Sequence, residues 1–176
     1  MWLGLAMVVG CSPPRLDHTR LGSGDLVAMT GEMAESLAGS EALAGRDSES
    51  AAWTITLDRV TNYTNDIIPD RQKWAYMSRL RARLSESTLP AERNLGFVLP
   101  RAWAEALGER HEDVGGERRT PTHALAATFY SLTQYNRAAR TDTYLCVFEL
   151  MDLRDDRVLW EDSWEVKRGV VRNEFD

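Results

Sequence analysis

TYLCVFELMDLRDDRVLWEDSWEV, residues 143–166, changes character in steps of two. Tyr144, Cys146, Phe148 and Leu150 fall on one side, and Leu145, Val147 and Glu149 on the other. That period belongs to a strand, whose side chains point to opposite faces in turn. The spacing predicts a strand over 143–153, a tight turn at RDDR (154–157) and a returning strand over 158–166. In the return, Leu159, Glu161 and Ser163 oppose Val158, Trp160 and Asp162. Upstream, HALAATFYSLTQY (123–135) reads as a further strand, joined through a turn at NRAARTD (136–142). The C-terminal third is therefore expected to be an antiparallel meander with Phe148 on its inward face.

Helical periods precede it. Leu26, Met29, Met33 and Leu37 recur at three- and four-residue steps, which predicts an amphipathic helix over about 25–37, capped by Ser23 or Asp25. Pro69 and Asp70 open a second helix reaching about Glu86, with Trp74, Met77, Leu80 or Arg81, and Leu84 on its buried side. Between the two, AWTITLDRV (52–60) alternates as a strand with Trp53, Ile55 and Leu57 on one face. TNYTND (61–66) follows as a turn, and 39–50 reads as a polar loop. NLGFVLP (94–100) is a short buried strand stopped by Pro100, RAWAEAL (101–107) a helical turn or two, and 108–122 a solvated loop. Strands alternating with helices, then a meander, predict an α/β fold: a single small domain whose mixed sheet of roughly four to five strands is packed by helices.

The length of 176 residues suits one domain, and the hydrophobic share of 43% is that of an ordinary globular protein. Asp and Glu outnumber Lys and Arg by 27 to 21. The net charge of −6 argues against broad nucleic-acid binding, which needs cations to displace phosphate counterions. Within this acidic chain the second helix gathers basic residues. Arg71, Arg79 and Arg83 lie away from its apolar stripe and form a candidate docking face for an acidic partner.

The chain opens MWLGLAMVVG. Its apolar run from Trp2 to Val9 is too short to span a bilayer and long enough for a signal peptide. Val8-Val9-Gly10-Cys11 then fits the lipobox of bacterial lipoproteins. In that pattern the Cys11 thiol is the nucleophile that accepts diacylglycerol, and the small Gly10 gives a peptidase access to the Gly10–Cys11 bond. The freed amino group of Cys11 is acylated in turn, and several acyl chains hold a protein that one would hold only marginally. Ser12 rather than Asp after the cysteine favours sorting to the outer membrane, by analogy with didermal bacteria. No residue from 1 to 10 is basic, whereas a signal peptide starts with a basic stretch. The reading therefore expects either basic residues encoded upstream of Met1 or a weak leader. SPPRLDHTRLGSG (12–24) reads as a linker, extended at Pro13-Pro14 and flexible at Gly22-Ser23-Gly24. The expected organisation is a signal peptide over 1–10, a lipidated terminus and short linker over 11–24, and the α/β domain over 25–176.

No catalytic or metal constellation stands out, and no cofactor is expected. His18, His111 and His123 are far apart in sequence. HED (111–113) falls in the charged loop, where adjacent side chains seldom converge on one ion. His123 enters a strand and reads as a structural histidine. Cys146 has no histidine nearby in sequence to activate it and reads as a buried thiol. Trp160 and Trp164 could stack on a sugar but fit the core of a strand better. The expectation is a protein that is not an enzyme.

Three segments, in order, resemble the penicillin-binding-protein activator family of outer-membrane lipoproteins, the LpoB-like family. DLVAMTGEMAESLAGSEAL (25–43) is similar to its opening helix. ITLDRVTNYTNDIIPDRQKWAYMSRLRARLSES (55–87) is similar to its strand, its Asn-x-Thr turn at Asn62 and Thr64, and the helix that follows. TYLCVFELMDLRDDRVLWEDSWEVKR (143–168) is similar to its closing hairpin and final basic pair. The resemblance implies a small α/β domain on a lipid anchor in the bacterial outer membrane, facing the periplasm. It implies a class A penicillin-binding protein as partner, whose glycan polymerisation and cross-linking the chain would raise. It implies no catalysis by this chain. Well-known members carry a long arm between lipid and domain, whereas residues 12–24 here span at most about 45 Å. The alternative is an accessory lipoprotein of a secretion or envelope-assembly system with a CsgG-like domain. A third reading is a carbohydrate-binding or hydrolytic domain using Trp160, Trp164 and the nearby acids.

Overall fold

The computed structural model describes residues 19–100, 120–135, 137 and 139–171. The expected signal peptide, Gly10 and Cys11, the helical turns at 101–107 and most of the charged loop, with HED, lie outside those residues. In chain order the elements are α1 (Ser23–Ala38), α2 (Glu41–Ala44), β1 (Trp53–Tyr63), α3 (Asp70–Ser85), α4 (Leu89–Arg93), β2 (Leu95–Val98), β3 (His123–Tyr135), β4 (Ala139–Asp152) and β5 (Arg157–Val171). The strands form one mixed sheet of five in the order β2-β1-β3-β4-β5. β1 runs parallel to β2 and β3, and β3, β4 and β5 form the antiparallel meander. Parallel neighbours need a crossover rather than a hairpin, and between β1 and β2 the chain makes it through α3 and α4.

The two long helices share one face of the sheet. α1 packs against α3 and β5, and α3 also packs against β1 and β2. The strand positions facing them alternate as the sequence requires: Ile55 and Leu57, Leu125, Ala127 and Phe129, and Tyr144, Cys146, Phe148 and Leu150 are all buried. Met29, Met33 and Leu37 of α1 and Trp74, Met77, Leu80 and Leu84 of α3 join them in one core. Trp160 and Trp164 belong to that core as well. The Trp160 indole N–H donates to Ser36 Oγ at 3.3 Å, and that hydroxyl donates in turn to Asp162, so α1 is seated on β5 by polar as well as apolar contacts.

A buried ion pair closes the start of α1. Gly22 is the N-cap and brings no side chain, so Asp25 reaches back and accepts its N–H at 2.8 Å. The other oxygen of Asp25 accepts from the Arg168 guanidinium on β5, and both side chains are at least nine-tenths buried. Leu21 packs against the core, so ordered structure begins before the expected start at Asp25.

Several expected boundaries move. The loop expected over 39–50 contains α2, whose Leu43 is buried. Beyond it, Arg46 lies over the Trp53 ring at 3.9 Å, and Asn94 Nδ2 donates to the Ser50 carbonyl at 2.9 Å. The turn expected at TNYTND gives its first three residues to β1, because Tyr63 still pairs with Tyr130. β4 starts at Ala139, not 143, so its hairpin with β3 is much tighter than NRAARTD suggests. Two bulges re-aim side chains. On β1, the three steps from Leu57 to Val60 oppose two on β3, which returns Val60 to the core. On β5, Trp160 pairs with Leu150 and Val158 with Met151, so Val158 turns outward, opposite to its expected side. Asp156 takes a positive φ of 55° in the β4–β5 turn, a conformation that Asp tolerates better than most residues.

Candidate functional site

The residues that sequence alone nominates do not converge. On α3, Arg71 and Arg83 are exposed, while Arg79 is half-buried, its Nε without a hydrogen-bond partner among the described residues. At about 100° per residue the three fall within an arc of about 120°, largely opposite Trp74, Met77, Leu80 and Leu84. They form one basic flank of the helix. Cys146 is free and fully buried, and loss of solvent pushes its thiol up to about 12, so it stays protonated. Trp160 and Trp164 lie beneath α1 and present no ring face for a sugar. Among the described residues no three His, Cys, Asp or Glu side chains come together to hold a metal ion.

The structure does assemble a cleft with both polar and apolar walls at the carboxyl end of β1, where the sheet hands the chain to α3. Its volume is about 570 Å³, and its walls include Arg20, Asp66, Pro69, Gln72, Tyr76 and Tyr144. The loop after β1 is built by local hydrogen bonds. Asn62 Oδ1 accepts from the Thr64 N–H at 3.1 Å, and its amide donates to the Asp66 carbonyl at 2.9 Å. This Asx-type turn bends the chain without help from glycine. The Asn65 N–H and side chain then donate to Ser131 Oγ at 2.9 Å and Thr133 Oγ1 at 3.2 Å, laying the loop across β3. Asp66 is thereby presented to β4, where the Tyr144 hydroxyl donates to its carboxylate. Burial first, and then the bond to Asp66, raise the Tyr144 pKa well above the ordinary tyrosine value. Its hydroxyl is a fixed donor and not a base. Gln72 Nε2 donates to Tyr76 Oη at 3.2 Å on the facing wall. Amide, hydroxyl, carboxylate and guanidinium groups side by side can hydrogen-bond a polar chain or headgroup. No nucleophile paired with a base is among them.

The opposite end of the sheet holds a different cluster. His123 is buried and stacks on Trp53 with ring centroids 3.9 Å apart, while its Nδ1 lies 2.8 Å from Thr122 Oγ1. Burial pushes the imidazole down from its ordinary value, so it is neutral at pH 7. Its Nε2 has no partner among the described residues, so the histidine is structural but only half satisfied. Beside it, the Arg154 side chain binds Asp152 at 2.5 Å and the Arg154 N–H adds a bond of 2.9 Å. These bonds hold the Asp152 carboxyl well below the usual carboxylate range. A depressed pKa gives stability that is present above the ordinary value of about 4 and is lost as pH falls through the folded value. Arg154→Ala is therefore expected to lower the urea midpoint at neutral pH and to converge on the wild type in acid. Titrations at about pH 6 and about pH 2.5, either side of that ordinary value, check it; an equal gap at both would contradict it.

Sequence reading missed both the cleft and its surroundings. The Tyr144–Asp66 bond joins residues 78 apart, and nothing in either segment announces the other. One signal was available: a tyrosine at an inward strand position brings a hydroxyl that needs a partner. A second is that Tyr130 and Leu132 sit on the outward side of β3, where alternation calls for polar residues; both are exposed.

No protein-family profile matches the chain, and no curated protein matches it in sequence. Among solved structures it is similar to the LpoB C-terminal domain from Salmonella enterica, at 14% identity and a TM-score of 0.47 over 81% of this chain and 98% of that one. It is similar to the LpoB C-terminal domain from Escherichia coli, at 17% identity and a TM-score of 0.45 over the same shares. It is also similar to the lipoprotein GNA1162 from Neisseria meningitidis, at 19% identity and a TM-score of 0.42 over 66% of this chain and 83% of that one. None of these likenesses identifies a partner for this chain.

Proposed function

We propose that this chain is a non-catalytic lipoprotein, anchored through Cys11 in the bacterial outer membrane on its periplasmic side, that binds and activates a peptidoglycan synthase of the penicillin-binding-protein class. The observation that carries the reading is an order: a lipobox at Val8–Cys11, then three segments resembling the activator family at 25–43, 55–87 and 143–168. In the fold these segments supply α1, α3 and β5, and α1 packs on both of the others, so the likeness falls on elements that α1 joins.

Three results are expected. Metabolic labelling with a fatty-acid analogue marks the wild type and misses Cys11→Ser, because a hydroxyl cannot replace the thiolate in diacylglycerol transfer. Equal labelling of both would sink the anchor. The gene is best expressed with its upstream codons. Cross-linked capture of the native lipoprotein, read by mass spectrometry, then returns a class A synthase. Reversing charge on the basic flank, Arg79→Glu with Arg83→Glu, weakens that capture at low salt; Arg83→Glu alone, at the exposed position, weakens it too and leaves the melting temperature unchanged. Undiminished capture would move the interface off α3.

A further inference from the structure

Exposed apolar side chains are not spread evenly. Of the eight large hydrophobics exposed among the described residues, five are gathered at the cleft end: Tyr63, Ile67, Tyr130, Leu132 and Tyr135. Ile67, at the tip of the loop after β1, is 96% exposed, and Tyr135, at the end of β3, is 72% exposed. Tyr63 and Tyr130 stack at 5.6 Å, which holds two rings outward as one surface. β3 runs five residues past its last pairing with β1, so the β3–β4 hairpin projects from the body of the sheet. That projection is about 16 Å at about 3.3 Å per residue. Cations sit among these apolar groups. Arg137 is exposed in the hairpin turn, Arg20 lines the cleft, and Arg140 lies 5.6 Å over the Tyr135 ring while bonded to Asp142 at 2.8 Å. Tyrosines and aliphatic residues beside arginines match the headgroup layer of a bilayer, where amphipathic rings and basic side chains are most at home.

The chain's own connection selects this occupant over a protein. Arg20 lies at the level of Tyr144, both lining the cleft. Nine chain steps, with eight residues between, connect it to Cys11. A chain of nine steps averages about 17 Å between its ends when unconstrained and reaches about 32 Å at full extension. From the level of Tyr144, the hairpin end lies about 14 Å away along β4, well within the relaxed reach. The Asp155 turn at the other end is roughly 32 Å away, which only a fully stretched tether could bring to the surface.

We propose that the projecting β3–β4 hairpin and the adjacent Ile67 loop rest in the phospholipid headgroup layer, with Leu132 and Tyr135 as apolar anchors and Arg137 at the phosphates. This rests on the lipid-anchor reading of Cys11. The opposite end of the sheet, with the Asp155 turn, then points away from the membrane.

The test uses the full acylated chain in vesicles of phosphatidylethanolamine and phosphatidylglycerol. An environment-sensitive fluorophore is placed at Gln134→Cys or, at the other end, Asp155→Cys; Cys146 is buried and does not compete. Headgroup-labelled nitroxide lipids are expected to quench position 134 several-fold more than position 155. Leu132→Ser with Tyr135→Ser should remove the difference. Equal or reversed quenching would overturn the proposal. So would shielding of position 134 that rises with protein concentration in vesicle-free solution, which would assign the surface to a second copy. Fatty-acid labelling separates the two claims. A labelled chain with position 134 unquenched refutes the hairpin contact alone. If Cys11 proves unlabelled, the unacylated chain carrying Cys11→Ser, so that only the introduced thiol takes the fluorophore, is added to the same vesicles: quenching at 134 upholds the contact without the anchor, and its absence refutes both.

Discussion

Truncating Phe148 to alanine is expected to lower the unfolding free energy by about 3–5 kcal/mol. Phe148 is fully buried at the middle of β4, on the face that meets α1 and α3. Its ring lies 6.2 Å from Phe129, which in turn meets Tyr76 of α3 edge-on at 5.3 Å. Its partner in the ladder with β3 is Ala127, too small to fill the space that the ring would leave. The cost therefore includes a cavity as well as lost transfer energy, since surrounding side chains are held by the sheet and relax only in part. A urea titration reads it directly. A loss below about half a kcal/mol, the size typical of a surface substitution, would mean that β4 presents its other face to the helices.

Arg168→Leu is expected to cost a similar amount, about 3–5 kcal/mol, by leaving the Asp25 carboxylate buried without its cation. The stake is larger than one ion pair. Asp25 also caps α1 through the Gly22 N–H, so a displaced carboxylate loosens the first turn of the helix. A local pair at the start of α3, Lys73 with the exposed carboxylate of Asp70 at 2.9 Å, should cost only a few tenths to 1 kcal/mol when broken at Lys73. Restoring neutrality with Asp25→Leu beside Arg168→Leu should recover part of the loss, because the penalty lies in the stranded charge. A loss at Arg168 no greater than at Lys73 would show that water reaches the pair.

The contrast between these two sites explains what could be read from the chain. Phe148 is legible because a strand's period is local: its neighbours at 146 and 150 announce the same face. The same holds for α1, α3 and the meander. Asp25 and Arg168 are 143 residues apart, each ordinary in its own segment, and only the packing of α1 on β5 joins them. The cleft is hidden for the same reason, since Asp66 and Tyr144 meet across the sheet. Bulges hide differently. One extra residue between Leu57 and Val60 leaves the composition of β1 unchanged while reversing its faces. Short elements are lost because four residues, as in α2, complete barely one helical turn and show no period. Leu43 alone carried that signal.

The proposed activation of a peptidoglycan synthase by a non-catalytic chain is tested most directly by glycan polymerisation. A purified class A penicillin-binding protein is supplied with its lipid-linked substrate, and the rate of glycan growth is followed with and without this chain. The rate is expected to rise with added chain and to saturate, with no product when the chain is supplied alone. An unchanged rate at chain concentrations well above those of the synthase, with no complex recovered by cross-linking, would contradict activation.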